Sequence, residues 1–391
     1  MTVTWAELTS RVEEVASDWR AARPERQARR NLDPADFARL VDAGLLRAAV
    51  PEEQGGLWRS VAESTRPVAE TLRTLAGADP SVALVSSMHP AVLGFWLATP
   101  DPARSLWTEQ RDAVFASAAN GSQWGTITSE PGSGGDILRT KSQAHPDDGS
   151  SGPLPGHSYR VSGDKHFGSG SGVTAFMITT AVPEGEDAPT LFMLDVRDRP
   201  WDGSAGLQLT AEWDGMGMAA TQSHAMRLEA CPAIRFAWDG AIEEILFAAA
   251  PLVATLFTAV VLGVFDEAIR TAKAQLEPKA DSLRPFEQVE WSRAELEHWL
   301  AVQAYEGALR AVEAGDAGRA LHATLRAKEA IAELAESSLR RLTRVIGGGT
   351  FSRRSPFASW FEDVRALGFL RPPWGLAYDS LFRTSFMYRR R

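Results

Sequence analysis

The sequence predicts an α+β protein in three segments: an N-terminal helical domain over 1–120, a middle β domain over 121–236 and a C-terminal helical bundle over 237–391. Three observations carry this. Apolar positions recur at helical spacing early in the chain, short β-branched runs separated by turn residues fill its middle, and three long helical patterns follow. At 391 residues the chain exceeds what a single hydrophobic core usually organises, so several packed subdomains are expected.

In the first segment, Phe37, Leu40, Val41, Gly44 and Leu45 fall on one helical face, and Asp33 followed by Pro34 reads as an N-cap with proline in the first turn. Pro51 and the pair Gly55-Gly56 are expected to stop that helix. The arginines at 20, 23, 26, 29 and 30 are interleaved with Asp18 and Glu25 and read as a solvated helix face. In the second segment, Ala175–Ala181, Thr190–Val196 and His224–Glu229 have the character of strands, and Pro146–Gly156 reads as a surface loop. The third segment predicts helices over about 243–276, 285–313 and 317–346. The first carries Leu256, Phe257, Val260, Val261, Val264 and Phe265 on one stripe, and the third ends at Gly347-Gly348-Gly349.

Composition bounds the function. Hydrophobic residues make up 44% and charged residues 23%, the balance of a globular protein. A formal charge of -9 argues against a nucleic-acid partner, because neutralising phosphates needs a basic surface. The single cysteine, Cys231, has no internal disulfide partner, and no Cys/His cluster has metal-ligand spacing. The N-terminus lacks an apolar segment followed by a cleavage site, so a cytoplasmic location is expected. Residues 245–264 approach spanning length, but they contain Pro251 and run into an amphipathic continuation, which predicts a buried core helix and no membrane partner. Thirteen tryptophans give an aromatic-rich interior, able to pack as core or to line a pocket for a planar ligand.

Several motifs carry a resemblance. Asp42–Gly56 ends in a Val-Pro-Glu-Glu-x-Gly-Gly turn; Ser129-Glu130-Pro131-Gly132-Ser133-Gly134-Gly135-Asp136, followed by Thr140, is a glycine-rich turn. The segment from Tyr159 carries Gly163, Lys165, Phe167 and Ser169, and the run from Trp213 carries Gly217, Thr221 and Ser223. In this order and spacing they resemble the acyl-CoA dehydrogenase superfamily, whose fold has an N-terminal α domain, a middle β domain and a C-terminal four-helix-type bundle. The resemblance extends almost end to end. It implies a flavin cofactor, FAD or FMN, held against Thr126, Thr128, Ser129, Gly134, Gly135, Phe167 and Ser169. It also implies a homotetramer in which Gly347, Gly348 and Gly349 approach a neighbouring subunit's cofactor. A glycine-rich turn suits this role because its backbone N–H groups can approach a planar, partly anionic ring. Gly135 stands where the family has a serine, and Glu362 stands for a usual arginine.

The departures bear on the reaction. Dehydrogenases of this family use a glutamate as base, and by their register Arg371 occupies its place; arginine stays protonated and cannot serve. The alternative position falls near Ala254, with no acid between Pro251 and Gly263. The arginine segment that holds the FAD pyrophosphate is not recognisable in 272–287, which makes FMN as credible as FAD. The F-x-S-G run at Phe167 is similar to the superfamily branch that contains dibenzothiophene monooxygenase, amine N-hydroxylases and nitrososynthases. That resemblance implies a monooxygenase working through a C4a-(hydro)peroxide on a small organic substrate, with reduced flavin from a separate reductase. His89 and Ser169 are then the candidates for hydrogen bonds to the bound oxygen, and Arg371 a candidate for holding an anionic substrate group or flavin phosphate. His89 also reads as an ordinary packed histidine and Arg371 as a surface ion pair. An acyl-CoA dehydrogenase with a displaced base, Glu362 or Asp363 being the nearest acids, and a non-catalytic binding scaffold remain the alternatives.

Overall fold

Helix caps written in the sequence set the first elements. In the computed structural model, which describes residues 3–100, 105–147 and 152–387, the Asp33 side chain accepts from the Ala35 N–H at 2.9 Å, with Pro34 in the first turn. Among the described residues, six helices come first: α1 (Trp5–Ala21), α2 (Arg23–Ala28), α3 (Pro34–Ala43), α4 (Val61–Ala76), α5 (Pro80–Leu97) and α6 (Leu106–Ala119). The stop of α3 differs from expectation. It is Gly44, at φ 97°, that ends the helix, upstream of Pro51, because only glycine enters this left-handed conformation without a Cβ clash.

The arginine run also differs. Arg26 is buried, donates to Asp36 at 2.7 and 3.0 Å and to Asp79 at 2.8 Å, and lies 4.0 Å over the Trp19 ring. Arg23 pairs with Glu267. The acids come from α3, α5 and the bundle, distant in sequence, so the spacing of the arginines alone suggested a solvated face. These residues fasten α2 to three other elements.

Among the described residues, seven strands follow: β1 (Trp124–Thr126), β2 (Gln143–Pro146), β3 (Ser158–Gly168), β4 (Phe176–Pro183), β5 (Thr190–Asp195), β6 (Leu207–Ala211) and β7 (His224–Arg235). Pairings β4–β2–β3–β7–β5 return to β4, so the sheet closes on itself; β1 joins β4 in parallel and β6 joins β7. Within the expected loop at 146–156, residues 148–151 lie outside the described residues. Beyond them Leu154 is buried and the Pro155 carbonyl accepts from Gln110 Nε2 at 2.8 Å, so this end of the loop is packed against α6.

The bundle consists of α7 (Ile242–Leu276), α8 (Pro285–Glu313) and α9 (Ala317–Ile346), with α10 (Phe357–Arg365) and α11 (Trp374–Met387) after it. Helices α5 and α7 are long and apolar enough to cross a membrane, yet most of their residues are buried inside the fold. The stripe from Leu256 to Phe265 lies in one continuous core with α4, α5, α8 and α9. A second core of Trp96, Trp107, Trp124 and Phe236 joins α5 and α6 to the sheet, with Trp96 and Trp107 stacked at 5.6 Å.

Candidate active site

Where the helices meet the sheet there is a cavity of about 600 Å³, lined from α5, the β1 extension, the end of β3, the 213–223 turn, α7, and the chain from α10 to Pro373. Its β-side wall begins with an extended run that keeps the ladder going past β1: Ile127 N–H donates to the Ile178 carbonyl at 2.8 Å, and Thr179 Oγ1 donates back to the Ile127 carbonyl at 2.8 Å. Thr126, Thr128 and Ser129 line the cavity from this run.

The glycine-rich turn is fixed by an ion pair the motifs did not announce. Glu130 accepts from Lys165 Nζ at 2.5 Å, from Ser142 Oγ at 2.7 Å, from the Lys141 N–H at 2.6 Å, and from Thr140 Oγ1. Lys165 also donates to the Thr180 carbonyl at 2.6 Å and is fully buried. Burial opposes the Glu130 charge, but the hydrogen bonds from Lys165, Thr140, Lys141 and Ser142 outweigh it and hold its pKa at about 2. Burial pulls the Lys165 ammonium down to about 8 against the attraction of Glu130. The glutamate and lysine of two separate sequence motifs are thus one structural clamp.

Beyond Glu130 the chain passes through Gly134 and Gly135, both at positive φ and both lining the cavity. A Cβ on Gly135 would stand 2.7 Å from Pro373 Cγ. The absent serine and the Arg371-Pro372-Pro373 segment are therefore one feature: the C-terminal segment occupies the space a side chain would need. Phe167, at φ 57° and more than half exposed, faces the cavity edge-on to Trp213 with ring centres 6.0 Å apart. Ser169, buried, bonds to Ser223 Oγ at 2.8 Å, and Ser223 to Thr221 Oγ1 at 2.7 Å. Spacing could mark the three hydroxyl residues, but not that they touch.

Arg371 lines the opposite wall. Its Nη2 donates to Ser129 Oγ at 2.9 Å, and among the described residues no carboxylate lies within ion-pair distance of it. Burial lowers its pKa to about 10, so it is a cation at neutral pH. The expectation of a surface ion pair is not met, because the segment turns inward against Gly135.

Four predicted residues lie elsewhere. His89, on α5, is buried and does not line the cavity. Its Nε2–H donates to the Leu46 carbonyl at 3.1 Å and its Nδ1 accepts from the Trp124 N–H at 3.1 Å, and burial pulls its pKa to about 4. With both nitrogens held by backbone it is a packed, neutral histidine joining α5 to β1, and its candidacy as a pocket donor is corrected accordingly. Gly347, Gly348 and Gly349 follow α9, and among the described residues nothing beyond their chain neighbours lies within 4 Å of the Cβ position of any of them.

The acids are few. Among the described residues that line the cavity, the carboxylates are Glu130, committed to its clamp, and Glu362, which accepts from Arg365 Nη1 at 2.7 Å. Asp363 points away and accepts from the Met218 N–H at 2.7 Å; burial pushes its pKa up to about 7. This contact requires Gly217, since a Cβ there would meet the Glu362 carbonyl oxygen at 2.2 Å. Ala254 is buried in α7 with no acid in that turn.

No family model matches the chain. The amino sugar nitrososynthase DnmZ of Streptomyces peucetius is 26% identical over 357 residues, covering 86% of this chain and 82% of that protein. Among solved structures, FMN-bound TdsC from Paenibacillus sp. A11-2, a dibenzothiophene monooxygenase, superposes with a TM-score of 0.80 at 19% identity over 97% of each chain. KijD3 in complex with FMN and a dTDP-linked amino sugar superposes with a TM-score of 0.81 at 22% identity, covering 97% of this chain and 93% of that one. The chain has an acyl-CoA dehydrogenase-like fold. The resemblance read from its motifs is borne out at the level of fold.

Proposed function

We propose that the chain is a flavin-dependent monooxygenase acting on a small organic substrate, using reduced flavin delivered by a separate reductase. One observation carries this reading over dehydrogenation: among the described residues, every carboxylate lining the cavity is already committed to a cation, and by the motif register Arg371 takes the place of the family's base. Proton abstraction beside an acyl thioester requires a positioned, free base. The cavity fits a flavin. It is of ligand size, has an open glycine turn at Gly134, where nothing lies within 4 Å of the Cβ position, and offers aromatic faces at Phe167 and Trp213. TdsC and KijD3, solved with FMN, support FMN as the form bound.

In this reading Gly134 and Gly135 let backbone approach the ring, Phe167 and Trp213 bound its face, and Ser169 meets its polar edge. Leu84, Met88 and Phe257 close the cavity against water. Arg371 supplies a fixed cation for an anionic group of flavin or substrate. When bound and reduced, the flavin supplies the electrons that activate dioxygen.

The test compares both redox states. Oxidised, flavin-loaded protein mixed anaerobically with a panel of short and long acyl-CoA esters is expected to keep its flavin absorbance, since lost acid–base catalysis costs roughly 10²–10⁴-fold in rate. The reduced protein mixed with oxygen is expected to pass through a transient near-ultraviolet band. Rapid bleaching by any acyl-CoA with transient-free reoxidation would restore the dehydrogenase reading.

A homotetramer is proposed with it. Phe286, Val289, Leu296, Trp299 and Leu300 expose an apolar face on α8, and the open turn at Gly347–Gly349 leaves room for a neighbour's cofactor. Light scattering at micromolar concentration tests this, and a monomer would overturn it.

A further inference from the structure

Three hydroxyls stand in line along the cavity wall. Ser169, Ser223 and Thr221 all line the cavity; Ser223 Oγ lies 2.8 Å from Ser169 Oγ, Thr221 Oγ1 2.7 Å further, and the Met218 carbonyl 2.8 Å beyond that. Thr221 is fully buried, and Ser169 and Ser223 expose only 8% and 7% of their surface. The backbone fixes the row: the Gly170 N–H donates to the Thr221 carbonyl at 2.8 Å.

Each hydroxyl carries one proton, so the row has two complete arrangements. In one, Thr221 donates to the Met218 carbonyl, Ser223 to Thr221 and Ser169 to Ser223, which leaves Ser169 to accept a hydrogen bond from the cavity. In the other, all three protons turn round: Thr221 donates to Ser223, Ser223 to Ser169, and Ser169 donates into the cavity. The second arrangement strands nothing, because the Met218 carbonyl still accepts from the Thr221 N–H at 3.1 Å and from Trp213 Nε1 at 3.0 Å. A buried hydroxyl fixed in one polarity would penalise whichever ligand state it failed to complement.

We propose that Ser223 and Thr221 are positioning residues that let Ser169 act as either donor or acceptor, matching a ligand edge that changes from acceptor to donor on two-electron reduction. An isoalloxazine is such a ligand: its ring nitrogen N5 offers a lone pair when oxidised and an N–H when reduced. The inference rests on the flavin reading above and adds what the cavity does for both redox states.

Thr221→Val removes the far end of the row with little change of shape. The donating arrangement survives it, but in the accepting arrangement the Ser223 proton loses its partner. Affinity for reduced FMN is therefore expected to fall roughly tenfold, while affinity for oxidised FMN changes less than about threefold. Anaerobic titration with dithionite-reduced FMN and fluorescence titration with oxidised FMN read the two constants without turnover. Thr221→Ser is expected to restore their ratio. Ser223→Ala is expected to shift the ratio in the same direction, and decides the matter if the valine variant does not fold. Equal weakening of both states, or an unchanged ratio in a variant set where Ser169→Ala still weakens FMN binding, would overturn the relay alone. If Ser169→Ala alters neither affinity, the placement of flavin in this cavity fails instead.

Discussion

On the β side of the cavity each buried charge is met several times over: Glu130 takes four donors besides its ion pair's geometry, and Lys165 has both a carboxylate and a carbonyl. On the C-terminal side, 242 residues further along the chain from Ser129, Arg371 has one hydroxyl and, among the described residues, no carboxylate within ion-pair distance, with Asp136 acting on it from further away. The first wall spends its polar groups on holding shape, and the second has a cation with fewer partners. Buried charges that answer only to each other make a site rigid; a buried charge left without a counter-ion raises local affinity for an anion.

Breaking the rigid wall is expected to have the largest effect. Lys165→Met leaves Glu130 buried without its cation and is expected to cost about 3–5 kcal/mol in denaturant unfolding. A loss under about 1 kcal/mol would mean that the hydroxyl and backbone donors suffice and that the two walls do not differ as described. His89 extends the rigid side to the junction of α5 and β1. Its folded pKa, near 4, lies below the usual 6.5, so its contribution is complete above about pH 6.5 and declines as pH falls toward 4. The decline amounts to about 3 kcal/mol at its limit, and His89→Gln is expected to flatten this part of the stability profile. An unchanged slope between pH 4 and 6.5 would place the titrating group elsewhere.

Where the walls touch, Gly135→Ala is expected to cost about 1–2 kcal/mol, because residue 135 sits at φ 81° and its new Cβ would press on Pro373. A neutral alanine, by thermal melting, would show that the C-terminal segment yields freely. The smallest effect on stability is expected at Arg371. Arg371→Gln removes a cation whose acidic neighbour, Asp136, lies beyond ion-pair distance, so stability should move by about 1 kcal/mol or less, while affinity for an anionic ligand falls about tenfold or more. Measuring FMN and riboflavin side by side shows whether the flavin phosphate is that anion. A large stability loss would return Arg371 to the structural wall.

The long helices were legible to within a residue or two: 243–276, 285–313 and 317–346 became Ile242–Leu276, Pro285–Glu313 and Ala317–Ile346. Each is a sustained apolar stripe, a signal that local periodicity carries without reference to anything distant. The positions of β4, β5 and β7 were also legible, although β7 runs on to Arg235, past the alternation that marked its start, while β1, β2, β3 and β6 were not read as strands. Much of the cavity lining was anticipated through motif resemblance: Thr126, Thr128, Ser129, Gly134, Gly135, Phe167, Ser169 and Arg371 all face one space. What failed were statements about partners. The arginines of α2 looked solvated because their acids lie on other elements, and His89 looked available because the carbonyl of Leu46 and the amide of Trp124 have no sequence signature.

By itself the sequence determined the long helices of the bundle, the strands β4, β5 and β7, and which glycines and hydroxyls stood at motif positions, because these follow from short-range periodicity and spacing. Only the tertiary structure decided that Glu130 is spent on Lys165, that Pro373 fills the space beside Gly135, and that Arg371 is left, among the described residues, without a carboxylate within ion-pair distance. Whether a polar side chain serves the fold or faces a ligand depends on which groups fill its hydrogen bonds. Those groups arrive from tens to hundreds of residues away, through contacts that no local pattern encodes.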